Sequence, residues 1–184
     1  MQQLVTVHLN LMIMWFCIFQ FKSNYTNIFL SKNMNDVINT WCQSNINFQR
    51  NLPKVLWISE DATRVSSKVK YDSKTNKLIG FTMPLVNGMP VTDSFLATSA
   101  KRIQDYFQNG IRSNYAYVVM AQPLSPSAPG YCLSIFGTNN RFIADDLMKR
   151  WQHIKLNFKK RGIIVLGFAS DGGTRFLKAM RQAA

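Results

Sequence analysis

With 184 residues, 47% of them apolar, the chain is long enough for one domain with a real core and too short for two comfortable ones. Its 22 Lys and Arg against 9 Asp and Glu leave a formal net charge of +13, which suits a polyanionic partner, nucleic acid before an anionic membrane face. Cys17, Cys42 and Cys132 are far apart, odd in number and without C-x-x-C spacing, which argues against a disulfide framework and a zinc site and fits a reduced, intracellular protein.

Leu4 to Phe21 contains nine consecutive apolar residues, Leu11 to Phe19. The stretch lacks the basic start and small-residue cleavage site of a signal peptide. It also falls short of the roughly 20 apolar residues of a membrane span. A buried helix or strand, or the start of a truncated reading frame, is the expectation here, with a membrane anchor as the lesser alternative. Asn24-Tyr25-Thr26 matches a glycosylation acceptor, which has meaning only in a secreted chain. Met34, Val37, Ile38 and Trp41 then recur at helical spacing behind the potential caps Ser31 and Asn33. Residues 1–50 thus form an N-terminal segment without an assigned role, and residues 51–184 form the core.

In the core, Val55 to Ile58 reads as a buried strand ending at Glu60-Asp61. Val65, Ser67, Val69 and Tyr71 alternate with Ser66, Lys68 and Lys70, the pattern of a half-exposed strand with a basic face. Turn residues Asp72 to Asn76 lead into a partner strand, Leu78 to Met83, and Asn87-Gly88 marks another tight turn. Thr92-Asp93-Ser94 is expected to cap a helix carrying Leu96, Ile103 and Phe107 and ending at Asn109-Gly110. Tyr115 to Ala121 and Tyr131 to Phe136 read as strands, separated by a Pro-rich stretch, Pro123 to Gly130. Arg141 to Arg161 is the longest helix, with Ile143, Leu147, Trp151, Ile154 and Phe158 on one face and Gly162 as its stop. His153 lies on it among basic residues and reads as a surface histidine.

Ile163 to Phe168 is a near-continuous apolar run, expected to be a strand buried on both faces. It ends at Ser170-Asp171-Gly172-Gly173, and a helix with Phe176, Leu177 and Met180 on one side follows. Acidic residues at the carboxyl end of a buried strand lie where open α/β sheets bind ligands. A crossover helix usually returns the chain parallel to an earlier strand. If the last strand lies beside Val55–Ile58, then Glu60 or Asp61 faces Asp171. Two such carboxylates repel unless a cation sits between them, and hard oxygen donors suit Mg²⁺ or Mn²⁺. The simpler reading makes Asp171 a turn residue or helix cap.

Val55–Asp61, the hairpin KVKYDSKTNKLIGF (Lys68 to Phe81) and the block GFASDGGTRFLKAM (Gly167 to Met180), in this order, resemble the ribonuclease-H-like catalytic core of DDE/D transposases, P-element-type ones and their domesticated relatives above all. The resemblance covers Lys54 to the C-terminus. It implies an α/β fold, a ribonuclease-H-like mixed sheet with flanking helices, incomplete at the C-terminus. It implies a transposable-element-derived protein, DNA as partner, a nuclear or otherwise intracellular location, and Mg²⁺ or Mn²⁺ as cofactor. The first catalytic and metal-binding Asp corresponds to Asp61, or to Glu60 if the register slips by one, and the second to Asp171. The family's Asp-Glu pair is reversed here, in Ser59-Glu60-Asp61, and its third acid belongs to a later helix. Little strand transfer is therefore expected from the chain alone, and an oligomer or a full-length relative is the implied source of the missing acid. The alternative is a non-enzymatic module that keeps the fold and binds nucleic acid or protein. On either reading Lys68, Lys70, Lys74 and Lys77 on the hairpin, with Lys149, Arg150, Lys155, Lys159, Lys160 and Arg161 on the long helix, are expected to contact phosphates. Tyr115 and Tyr117 are read as sheet packing rather than base-stacking platforms.

Overall fold

Burial alternates residue by residue from Val55 to Glu60, as a strand between two unlike faces requires. This is the centre of β1 (Val55–Arg64), and the sheet is built around it. The computed structural model describes residues 34–38, 55–124, 130–170 and 172–183. Leu4 to Phe21, the Asn24 acceptor, Cys17, Cys42 and Asp171 lie outside the described residues.

After β1 come two small hairpins, β2 (Lys70–Asp72) with β3 (Lys77–Ile79) and β4 (Leu85–Val86) with β5 (Met89–Pro90). Helix α1 (Ala100–Asn109) precedes β6 (Tyr115–Pro123) and β7 (Tyr131–Thr138). Helix α2 (Ala144–Lys159), β8 (Ile164–Ser170) and α3 (Thr174–Ala183) complete the order. The main sheet is mixed, in the order β7-β6-β1-β8. β1, β6 and β7 pair antiparallel, and β8 returns parallel to β1. The fold is α/β, a four-stranded mixed sheet with flanking helices.

Leu56 and Ile58 of β1, Tyr117, Val119 and Ala121 of β6 and Phe136 of β7 meet Leu147, Trp151, Ile154 and Phe158 of α2 in one core. α3 adds Phe176 and Ala179. Met34 and Ile38, from a helical segment at residues 34–38, are buried in the same core. His153 anchors that segment through Asn35, with Nε2 and Oδ1 3.0 Å apart. It is therefore half-buried rather than a plain surface histidine, and burial, then the charge of Lys160, lowers its pKa from the ordinary value. On the opposite sheet face Ala116, Val118, Met120 and Ile135 form a smaller buried cluster.

Several expected elements change. β1 does not stop at the carboxylates but runs to Arg64, because β6 goes on pairing with it as far as Tyr115. The alternating stretch from Val65 to Tyr71 yields strand only at its end. Val65 N–H goes to the Asn114 carbonyl and Lys68 N–H folds back on Ser66, so this stretch builds no ladder before Lys70. The cap of α1 is Ser99, whose hydroxyl accepts from Arg102 N–H at 3.2 Å, not Thr92-Asp93-Ser94. Leu78 N–H bonds to the Phe95 carbonyl and Ala97 N–H to that of Asn76, so the segment around Leu96 is held in extended contact with β3 before the helix begins. β8 is not buried on both faces: Ile164 and Leu166 are each 54% exposed. A bulge opposite Trp57 shifts the register from Leu56↔Val165 to Trp57↔Gly167, returning Phe168 to the core side, where it stacks on Trp151 at 4.7 Å.

Candidate functional site

Strand geometry sends Glu60 and Asp61 to opposite faces of the sheet. Glu60 points under α2 and is 1% exposed. Its carboxylate accepts from four groups: Arg150 Nε at 3.0 Å and NH2 at 3.4 Å, the Tyr117 hydroxyl at 2.7 Å and Trp151 Nε1 at 3.1 Å. Arg150 is completely buried, and its remaining nitrogen donates to the Gly88 carbonyl at 2.8 Å. The guanidinium lies over the Tyr117 ring, 4.6 Å from its centroid. A buried ion is tolerable only with such saturation, since each unpaired buried charge costs several kcal/mol in desolvation. Glu60 thus serves inside the core, where the sequence offers it as an alternative metal ligand.

Two basic residues expected on the surface are likewise withdrawn. Arg150 sits in the core, because it is three residues after Leu147 and beside Trp151 on the same helix face. Lys77 is buried, donating to the Thr92 carbonyl at 2.6 Å and lying 3.5 Å from Asp93. A spacing of three residues from Leu147 and four from Ile154 is the available signal for Arg150. Nothing local marks Lys77.

Tyr117 shows the electrostatic cost of this site. Burial first, then the neighbouring negative charge of Glu60, pushes its phenol well above the ordinary value of 10.0. The unfolded chain releases that proton near pH 10 while the folded chain keeps it. The associated stability is therefore complete below about pH 10 and falls as pH rises further. The denaturant midpoint, followed from about pH 8 to pH 11, is expected to decline less steeply in Tyr117→Phe than in the natural chain. An identical slope in both would show that Tyr117 titrates freely.

Asp61 is half-buried on the other face, opposite Val118 of β6. Its Oδ1 accepts from Ala62 N–H at 2.7 Å, and its Oδ2 receives a long contact from the Thr63 hydroxyl at 3.4 Å. On the β8 side, pairing with β1 ends at Glu60↔Ser170. Asp61 is therefore the first β1 residue beyond the parallel ladder, and residue 171 the first beyond β8. The end of β8 thus lies beside the acidic pair, as the sequence leads one to expect, although β1 itself continues to Arg64. Asp171 itself lies outside the described residues. Gly172, at φ +82, leads into α3, where Arg175 donates to the carbonyls of Asn140 and Phe142 and lies over the Phe142 ring at 4.6 Å. These bonds tie the start of α3 to the loop between β7 and α2. No group of three or more His, Cys, Asp or Glu suited to a metal ion occurs among the described residues. No helix among them is long and apolar enough to cross a membrane.

No protein-family model and no curated protein matches the chain. Among solved structures, a chain of the Drosophila P element transposase strand transfer complex is similar, at 15% identity and a TM-score of 0.47. The likeness covers 85% of this chain and 27% of that one, so this chain spans about a quarter of that protein's length.

Proposed function

We propose that the chain is a transposable-element-derived protein with a ribonuclease-H-like core, related to metal-dependent DNA strand cleavage and transfer and with little activity by itself. Asp61 and Asp171 are its remnant metal ligands, and DNA is its partner. The observation that carries this reading is the parallel β1–β8 ladder ending at Glu60↔Ser170. With it, β8 ends beside Glu60 and Asp61 of β1, so the chain that leaves β8 does so next to Asp61, at the carboxyl edge where open sheets bind ligands. Carboxylate oxygens are hard donors suited to Mg²⁺ or Mn²⁺. A bound ion would polarise a phosphoryl oxygen. The role of the chain's own residues is to hold that ion and to bring the polyanion to it.

Mn²⁺ binding to the full chain, measured by calorimetry or by the electron paramagnetic resonance signal of the free ion, tests this. Asp61→Asn and Asp171→Ala are each expected to weaken binding at least tenfold. Glu60→Gln is expected to lower stability while leaving the affinity of the folded protein unchanged, since its carboxylate is already occupied by Arg150, Tyr117 and Trp151. Absence of Mn²⁺ binding by the natural chain would overturn the metal reading. It would leave the second one, a non-enzymatic module binding nucleic acid through its basic surface. That second reading gains from the withdrawal of Glu60 into the core, which removes one acid from the ligand set considered for the site.

A further inference from the structure

β1 ends at Arg64 and β6 begins at its pairing partner Tyr115. Between them the chain makes an excursion, residues 65–114, containing both small hairpins and α1. It leaves and rejoins the sheet three residues beyond Asp61, at the same end as the candidate carboxylate. Lys68, Lys70, Lys74, Lys101, Arg102 and Arg112 are all exposed on it. Two of its three acids are engaged locally, Asp72 by the Thr75 amide and hydroxyl and Asp93 by Lys77. α1 has no buried residue, and its Phe107 is 48% exposed, meeting Phe81 of the same excursion edge-on at 5.7 Å. Tyr71, between Lys70 and Asp72, is 57% exposed. Exposed rings among exposed cations add contact with the sugars of a backbone whose phosphates the cations neutralise.

The other basic cluster, Lys159-Lys160 at the end of α2, precedes β8, whose first residue Ile164 pairs with Val55. That is the opposite end of β1 from Asp61, roughly 20 Å away at about 3.3 Å per residue. We propose that the excursion 65–114, and not the α2 cluster, is the surface that holds duplex DNA. Charge complementarity selects the partner, and position selects this surface over the other. This assignment rests on the reading of DNA as the partner in the preceding section.

Fluorescence anisotropy of a labelled 20-base-pair duplex against the full chain tests it. The variant Lys70→Glu/Lys74→Glu/Arg102→Glu is expected to bind at least tenfold more weakly. Its slope of log affinity against log salt is expected to fall by about two to three, near 0.9 for each phosphate no longer neutralised. Lys155→Glu/Lys159→Glu/Lys160→Glu is expected to change affinity less than threefold. A milder variant, Tyr71→Ala/Phe107→Ala, removes no charge and is expected to weaken binding severalfold with an unchanged salt slope. If the α2 variant weakens binding as much as the hairpin variant, or if the hairpin and ring variants bind like the natural chain, the assignment of this surface is overturned while DNA binding stands. If the natural chain itself does not bind at about 50 mM salt, the DNA reading falls, and the surface assignment with it.

Discussion

Arg150→Met is expected to cost about 3–5 kcal/mol of stability, the largest effect of any single substitution considered, because it leaves Glu60 as an uncompensated charge in the core. Met fills similar volume, so the loss is electrostatic rather than a cavity effect. Against a total of about 5–15 kcal/mol for a domain, that is a large share. Chemical denaturation reads it as a shift of midpoint with little change of slope. The Tyr117 hydroxyl and Trp151 Nε1 continue to donate to the carboxylate, so they soften the loss without cancelling it. Glu60→Gln/Arg150→Met is expected to recover part of the deficit, since no buried ion then remains and the amide oxygen still accepts one of these donors. A cost below about 1 kcal/mol for Arg150→Met would mean that Glu60 reaches water, against the sealed geometry described above.

Gly88→Ala is the second large effect. Gly88 has φ +73 beside Asn87 at φ +51, the left-handed pair that a two-residue hairpin turn requires. An added Cβ would come within 1.9 Å of the Asp146 carbonyl oxygen and 3.1 Å of the Arg150 backbone nitrogen. Left-handed strain contributes about 1–2 kcal/mol and the backbone collision about 1–3 more, so a total near 2–5 kcal/mol is expected. The same substitution pushes away the carbonyl that accepts from Arg150 NH1. Gly88→Ala and Arg150→Met should therefore be non-additive in a double-mutant cycle. Additive losses would show that the hairpin tip and the buried ion pair are independent. Gly162, at φ +70 with nothing within 4 Å of an added Cβ, isolates the strain contribution, and Gly162→Ala is expected to cost only about 1–2 kcal/mol.

Much of the architecture is legible in local pattern. α2, β6, β7 and the Asn87-Gly88 turn fall where helical spacing, apolar runs and turn residues put them. The parallel return of the last strand to the first follows from a helix lying between them. The departures have a common cause. An apolar run records composition, not exposure, so the expectation of a doubly buried β8 fails where Ile164 and Leu166 turn outward. Val65 to Tyr71 alternates like a strand, yet the excursion gives that stretch no partner before Lys70. Thr92-Asp93-Ser94 has cap chemistry, but Leu78 and Asn76 capture the backbone that follows and delay the helix to Ser99.

The candidate site divides in the same way. Sequence marks Glu60 and Asp61 as the acids that follow a strand core, and its charge balance marks the chain as basic, since both properties are carried by the residues themselves. Which of the two adjacent acids enters the core, and which lies beside the end of β8, depends on the facing of β1 and on its register with β8 and β6. The pairing of Glu60 with a guanidinium 90 residues away is set by the packing of α2 over the sheet, and the removal of Arg150 and Lys77 from the basic surface is likewise a matter of packing. Spacing within one turn or one strand is written locally, because bonded geometry fixes it. The company a charge keeps is decided only when distant elements pack, because desolvation and ion pairing depend on neighbours from other parts of the chain.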